Sequence, residues 1–240
     1  DRDDINVQML VITPGRELAL QSSEVLKNMK CGVRGMACYG GRPAMEEHRR
    51  MRDVNPQIVF ATPGRLLDHL EKGNILCDNV RFLVIDEFDK CLEMGFAREM
   101  NAIVGFLADD CRRILLSATD LDAIPNYVNM GRTAKLSFLV DEEQTNDRVE
   151  TYLVKSEQKD KLPMLSLLLS EVSNESCIVF LNYRDSVERV SDYLRDNGFP
   201  HVVFHGGLDQ RQREQALYQF SNGSVNIMVC TDLASRGLDF

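Results

Sequence analysis

One arrangement recurs along this chain and restricts what it can fold into: a short apolar, β-favouring run, a handover through small or charged residues, then an amphipathic helix. Met9-Leu10-Val11-Ile12 closes on Thr13-Pro14-Gly15, and from Arg16 a helical stripe follows through Leu18, Ser22, Val25, Leu26 and Met29. Ile58-Val59-Phe60-Ala61 passes through Thr62-Pro63-Gly64-Arg65 to a helix carrying Leu66, Leu67 and Leu70, with Gly73 placed to end it. Residues 33–39 predict a strand ended by Gly40-Gly41, residues 98–107 a helix, and Ile114-Leu115-Leu116 a strand delivering Ser117-Ala118-Thr119. Strands that alternate with helices pair in parallel, so the handover segments are expected to gather along one edge of a sheet.

The most chemically loaded handover follows Arg81-Phe82-Leu83-Val84-Ile85. That run predicts a mid-sheet strand buried on both faces, its carboxyl end opening on the crevice where α/β proteins bind ligands. Asp86, Glu87 and Asp89 come next, all within four residues. Unpaired charge is costly to bury, so the cluster is expected to face a cation. Magnesium suits, because it takes a few carboxylates and completes its shell with water and phosphate oxygens. A solvated turn is the alternative reading of the same four residues.

With 240 residues, 44% of them hydrophobic, the chain has material for one large core or two moderate ones. No run approaches the roughly 18 apolar residues of a membrane span, and no basic-then-apolar leader opens the sequence, so no membrane partner is expected. Seven cysteines are scattered singly without a Cys-x-x-Cys pair, and four histidines lack close spacing. This is reduced, cytoplasmic usage rather than a disulfide framework or a zinc site. The net charge of −9 counts against a nucleic-acid partner on general electrostatics. Much of that acid lies away from the handover arginines, in Asp1, Asp3 and Asp4 and in Asp141-Glu142-Glu143.

A last strand of the first half is expected over 136–140, and the acidic, aperiodic segment 141–147 reads as a linker. Beyond it the alternation restarts: strands over 149–154, 177–181, 201–204 and 225–230, and helices over 162–172, 186–197 and a stretch ending at Phe220. Two α/β domains, 1–140 and 148–240, are the expected organisation.

In this order and spacing the handover segments resemble the DEAD-box family of ATP-dependent RNA helicases. The stretches carrying the resemblance are Pro14-Gly15-Arg16-Glu17-Leu18-Ala19, Gly40-Gly41, Thr62-Pro63-Gly64-Arg65, Asp86-Glu87-Phe88-Asp89 and Ser117-Ala118-Thr119. In the second half they are Phe180-Leu181-Asn182, His205-Gly206, Gln210-x-x-Arg213 and Thr231-Asp232-Leu233-Ala234-Ser235-Arg236-Gly237-Leu238-Asp239. The resemblance implies two RecA-like parallel-sheet domains in tandem, ATP and Mg2+ as cofactors, and RNA as partner through sequence-independent backbone contacts, with protein cofactors besides. It implies that Asp86 holds the magnesium, that Glu87 positions or deprotonates the attacking water, and that Asp89, Ser117 and Thr119 couple nucleotide state to RNA grip. By the same resemblance Arg16, Gly41, Thr62, Arg65, Gly206, Gln210, Arg213 and Thr231 contact RNA. Gly237 and Asp239 reach the nucleotide, with Arg236 at the domain interface. Arg184 and Arg211 read as solvated surface charges.

The pattern has departures. The 240 residues hold no Gly-x-x-x-x-Gly-Lys-[Ser/Thr] loop, which in the family lies upstream of Met9. An arginine-rich segment that follows the region ending at Phe240 is also missing, so both domains read as truncated and the isolated chain is expected to be inactive. Gly15 stands where the family carries threonine. Phe88 replaces alanine, an expected overpacking against the phosphate-binding loop costing about 1–3 kcal/mol. A catalytically decayed RNA-binding or scaffold protein of the same fold is the alternative, although Glu87 is retained. An enzyme with a nucleophilic aspartate lacks its Asp-x-Asp spacing here and leaves the flanking motifs unexplained.

Overall fold

β1 (Met9–Ile12), β2 (Gly35–Cys38), β3 (Ile58–Ala61), β4 (Phe82–Ile85) and β5 (Arg112–Leu115) form one sheet in the order β2-β3-β1-β4-β5. All its pairings are parallel. The computed structural model describes residues 6–41, 43–119, 123–138, 150–157, 159–172 and 175–231. The chain divides into two compact units, one running to Met130 and the other beginning at Gly131.

In the first unit the crossovers are α1 (Arg16–Asn28), α2 (Ala44–Val54), α3 (Pro63–Glu71), α4 (Phe88–Glu93) and α5 (Ala97–Gly105). The register matters most for function. Ile12 pairs with Ala61 and Ile85, Ala61 with Cys38, and Ile85 with Leu115. The last residues of all five strands therefore stand in one row, and every following loop leaves the same edge.

Alternation sorts the strand residues between two cores. Leu10, Ile12, Met36, Cys38, Val59, Ala61, Leu83 and Ile85 face one way and pack with Met51, Leu66, Leu70, Met100 and Ile103 of the helices. Val11 and Phe60 face the other way with Ala19 of α1, joined by Met9, Leu26, Ala37, Ile58 and Val84. Gly35 makes that second layer feasible: a Cβ there would lie 2.5 Å from the Leu26 side chain and 3.2 Å from the Phe60 ring. β4 departs from the expectation of burial on both faces. Leu83 and Ile85 are fully buried, but Phe82 and Val84 are only partly so. Among the described residues α1 packs mainly over β2 and β3 on the second face, and Val84 of β4 lies at the margin of that cluster.

The second unit pairs β6 (Cys177–Phe180), β7 (Val202–Phe204) and β8 (Ile227–Cys230) in parallel, in the order β6-β8-β7. Cys230 lies level with both Phe180 and Phe204, so these strands too end together. α6 (Leu162–Glu171), with Pro163 in its tolerant first turn, and α7 (Arg184–Asp196) bury Leu169, Val187, Val190 and Leu194 against Ile227 and Val229. α8 (Gln210–Ser221) begins with a capping box in which Asp209 accepts from the Gln212 N–H.

The strands expected over 136–140 and 149–154 do not form in their described parts, 136–138 and 150–154. Leu136, Phe138, Tyr152 and Leu153 are all exposed, with no strand among the described residues to complete their backbone ladder. The expected linker 141–147 lies outside the described residues, as do Arg236, Gly237 and Asp239. No helix of the described residues is long and apolar enough to cross a membrane, and all seven cysteines are free thiols.

Candidate functional site

The row of strand ends in the first unit assembles nine of the residues singled out from sequence: Arg16, Gly41, Thr62, Arg65, Asp86, Glu87, Asp89, Ser117 and Thr119. Each position follows from local chemistry. After β1, the buried Thr13 donates its hydroxyl to the Gly15 carbonyl at 3.0 Å, and Gly15 is the N-cap of α1 that sets Arg16 in the first turn. Gly15 has an ordinary extended backbone, and a Cβ there would meet only Glu17 Oε2 at 3.7 Å, so neither strain nor crowding demands glycine. After β2, by contrast, Gly41 sits at φ +95°, where glycine is the natural residue. After β3, Thr62 is the N-cap of α3 and Pro63 occupies the first helical position, which its fixed φ suits.

The acidic corner is tightly built. The Asp86 N–H donates to the Ile12 carbonyl at 2.9 Å, joining β4 to β1 at the point where the strand order reverses. One Asp86 oxygen accepts the Glu87 N–H at 3.0 Å, and Asp86 makes no ion pair among the described residues. Glu87 holds a left-handed backbone, φ 46° and ψ 51°, as N-cap of α4. For an L-residue this costs about 1–2 kcal/mol, and strain of that kind gathers at functional positions. Phe88 then enters the core completely: it is a fully buried member of the main cluster. The phosphate-binding loop against which this ring is expected to overpack is not part of the 240 residues; within them, Phe88 at the start of α4 serves as a core anchor. Burial, followed by the charges of Glu87, Asp86 and Asp89, pushes the neighbouring Cys91 thiol up to about 12.

One Asp89 oxygen accepts the Thr119 hydroxyl at 2.9 Å, and the Ser117 hydroxyl donates to the Thr119 carbonyl at 2.8 Å. The three residues assigned to coupling thus form one hydrogen-bonded string from α4 to the loop after β5. A cation with oxygen preference fits this corner, since Asp86 is half-buried at a strand end and Glu87 follows it directly.

Arg65, assigned to RNA contact by the resemblance, is largely buried in an ion pair. Its Nη1 donates to Glu47 Oε2 at 2.7 Å, with side chains only 11% and 7% exposed. Glu47, on α2, also accepts the Tyr39 N–H at 3.0 Å and lies 3.0 Å from His69 Nε2. Burial alone raises the Glu47 carboxyl; hydrogen bonds from His69 and the Tyr39 N–H, with the Arg65 charge, outweigh it and hold the group below its usual range. Cys38 Sγ joins Glu47 and His69 in a cluster whose ligand atoms lie within 4.8 Å of one another. That set does not suit a metal ion: both Glu47 oxygens are engaged, and the Arg65 cation already occupies the place beside them. Sequence reasoning missed Glu47. The available signal was helical spacing, which puts Glu47 on the same face as Met51, a fully buried residue.

In the second unit, Gly206 follows β7, Gln210 and Arg213 share the first turn of α8, and Thr231 follows β8. Thr231 donates its N–H to the Phe204 carbonyl at 3.2 Å, and Arg213 donates Nη2 to the Gly206 carbonyl at 2.9 Å, so all four converge on one edge. Gln210 and Arg213 are both largely buried. Arg184, read from sequence as a solvated charge, is exposed but lies over this loop: a Cβ on Gly207 would come 2.5 Å from its guanidinium carbon.

Residues 1–123 match the family model of the DEAD/DEAH box helicase, and residues 160–240 that of the helicase conserved C-terminal domain. The chain belongs to the DEAD/DEAH box helicase family. It is 35% identical over 242 residues to the ATP-dependent RNA helicase DbpA of Escherichia coli K12, covering 100% of this chain and 53% of that protein. With the ATP-dependent RNA helicase CshA of Listeria monocytogenes it shares 36% identity over 242 residues, 100% of this chain and 46% of the relative. A solved structure of the DEAD-box helicase Mss116 bound to single-stranded RNA and UDP-BeF superposes with a TM-score of 0.84 at 28% identity, over 98% of this chain and 52% of that one. The DEAD-box chain described here thus spans about half the length of the curated relatives it matches.

Proposed function

We propose that the intact protein is an ATP-dependent RNA helicase that uses ATP binding and hydrolysis to remodel RNA duplexes or ribonucleoproteins. The observation that carries this reading is the row of strand ends, which sets the Asp86–Glu87 corner beside the Asp89–Thr119 string and the Thr62–Arg65 turn on one sheet edge. Relatives named ATP-dependent RNA helicases and a neighbour holding single-stranded RNA with a nucleotide analogue support it.

In this reading Asp86 holds Mg2+, which when bound neutralises charge developing on the transferred phosphoryl group of ATP. Glu87, the left-handed N-cap of α4, orients the attacking water and accepts its proton. Gly41, Thr62 and Arg16 present backbone N–H, hydroxyl and guanidinium donors of the kind that take phosphate and sugar without reading bases. Arg65, carried by Glu47, belongs with them, and Gly206, Gln210, Arg213 and Thr231 are the second unit's set. Gly237, Asp239 and Arg236 keep the roles the resemblance assigns. Cytoplasmic residence fits seven free thiols.

The test is RNA-stimulated ATP hydrolysis by the intact protein. Glu87→Gln is expected to abolish turnover while leaving ATP-dependent RNA binding in place. RNA binding without stimulated hydrolysis in the unmodified protein would instead identify a scaffold of the same fold.

A further inference from the structure

Glu47 is a carboxylate withdrawn from water on a helix otherwise given to solvated charge, and the reading above gives it no task. Each of its bonds goes to a segment bearing one of the proposed RNA contacts. Oε1 takes the N–H of Tyr39, the residue that leads into Gly40-Gly41. Oε2 takes Arg65 Nη1 in the turn after β3. Oε2 also lies 3.0 Å from His69, one helical turn beyond Arg65, and His69 Nδ1 in turn contacts Asn74 Nδ2 at 3.1 Å. One side chain therefore spans the loops after β2 and β3, neighbours in the sheet, and fixes the direction of a guanidinium that would otherwise sweep through many rotamers.

We infer that Glu47 is a positioning residue for RNA binding, orienting Arg65 and anchoring the Gly40-Gly41 loop so that both meet the same stretch of RNA backbone. The inference rests on the RNA-binding reading of Arg65. Bidentate and fork-type contacts to phosphate depend on orientation as much as on charge, so a fork held from behind loses less freedom when the phosphate arrives. Glu47 acts through Arg65 and the loop and does not touch the RNA.

The experiment titrates the intact protein with a fluorescent single-stranded homopolymer RNA and a non-hydrolysable ATP analogue across a salt series. The variants are Arg65→Ala, Glu47→Ala, Glu47→Gln and the Glu47→Ala/Arg65→Ala double. Arg65→Ala is expected to weaken binding about tenfold and to shallow the plot of log Kd against log salt by about 0.7, the loss of one phosphate contact. Glu47→Ala should reproduce that shallower slope with a loss of about fivefold, and the double variant should bind no more weakly than Arg65→Ala alone. Glu47→Gln keeps an acceptor for Tyr39 but not the charge facing Arg65, and should fall between, at about threefold. It decides the matter if Glu47→Ala melts before it can be titrated.

A merely structural role would reduce the fraction of competent protein and leave the salt slope untouched. Glu47 variants with the unmodified slope, losses that add in the double variant, or tighter RNA binding by Glu47→Gln would each overturn the inference while leaving Arg65 in its role. An unchanged slope in Arg65→Ala would refute the reading of Arg65, and the inference with it.

Discussion

Glu87 carries two properties that separate cleanly in experiment. Its side chain is the proposed base, and its backbone sits at φ 46°, where an L-residue is strained and glycine is not. Glu87→Gly and Glu87→Ala both remove the carboxylate, so the difference between them isolates the backbone. The glycine variant is expected to be the more stable by about 1 kcal/mol in urea denaturation, with neither hydrolysing ATP. Glu47 gives a second residue-scale expectation, in pH. Its carboxyl is held below the ordinary range in the folded protein, so its contribution is present above the unfolded value of about 4.3 and fades as pH falls through the folded one. Acid unfolding of Glu47→Gln should therefore steepen less below about pH 4 than that of the unmodified protein, with the difference read from thermal midpoints at pH 7 and pH 3.5. Sequence motifs named the residues at the sheet edge but not their supports. Helical spacing puts Glu47 on the face of Met51, but two acids in a helix's first turn also suit the helix dipole, and the partners Tyr39, Arg65 and His69 meet Glu47 only through tertiary packing.

At the scale of elements, apolar run length and helical spacing placed most strands and helices within a few residues of their observed bounds, since a parallel sheet buries its strands as continuous apolar runs. α2 was not expected at all: among its charged residues Met51 is the one apolar side chain it buries, too little to show a stripe. Two further kinds of element escaped. α4 is only six residues long, too short to show a periodicity, and begins inside the acidic motif itself. The apolar runs near 136–138 and 150–154 look like strands but find no edge to pair with among the described residues. The short α4 nevertheless matters, because it carries both the Phe88 anchor and Asp89. The bond from Thr119 to Asp89 ties this helix to the loop after β5, and Asp89 is only 4% exposed. Thr119→Val, close in shape but without the donor, should leave that carboxylate short of a partner and lower stability by about 1–3 kcal/mol in chemical denaturation. Thr119→Ser should recover most of it.

For the molecule as a whole, a net charge of −9 and a proposed polyanionic ligand are compatible because the donors are gathered rather than spread. The levelled strand ends also determine where evolution, or an engineer, has room to add residues. A residue inserted into any strand would advance its loop by about 3.3 Å and reverse its inward and outward faces. Additions are tolerable at the opposite rim, where the chain re-enters the sheet through turns such as Lys30–Arg34, whose residues are exposed. A short glycine-serine insert between Gly32 and Val33 is expected to leave folding and RNA affinity intact. The same insert between Gly40 and Gly41 should fold as well yet bind RNA poorly, as equilibrium titration of the two would reveal. The protein is in this sense a comb with a plastic handle: length may vary at the grip, but the tips must stay even.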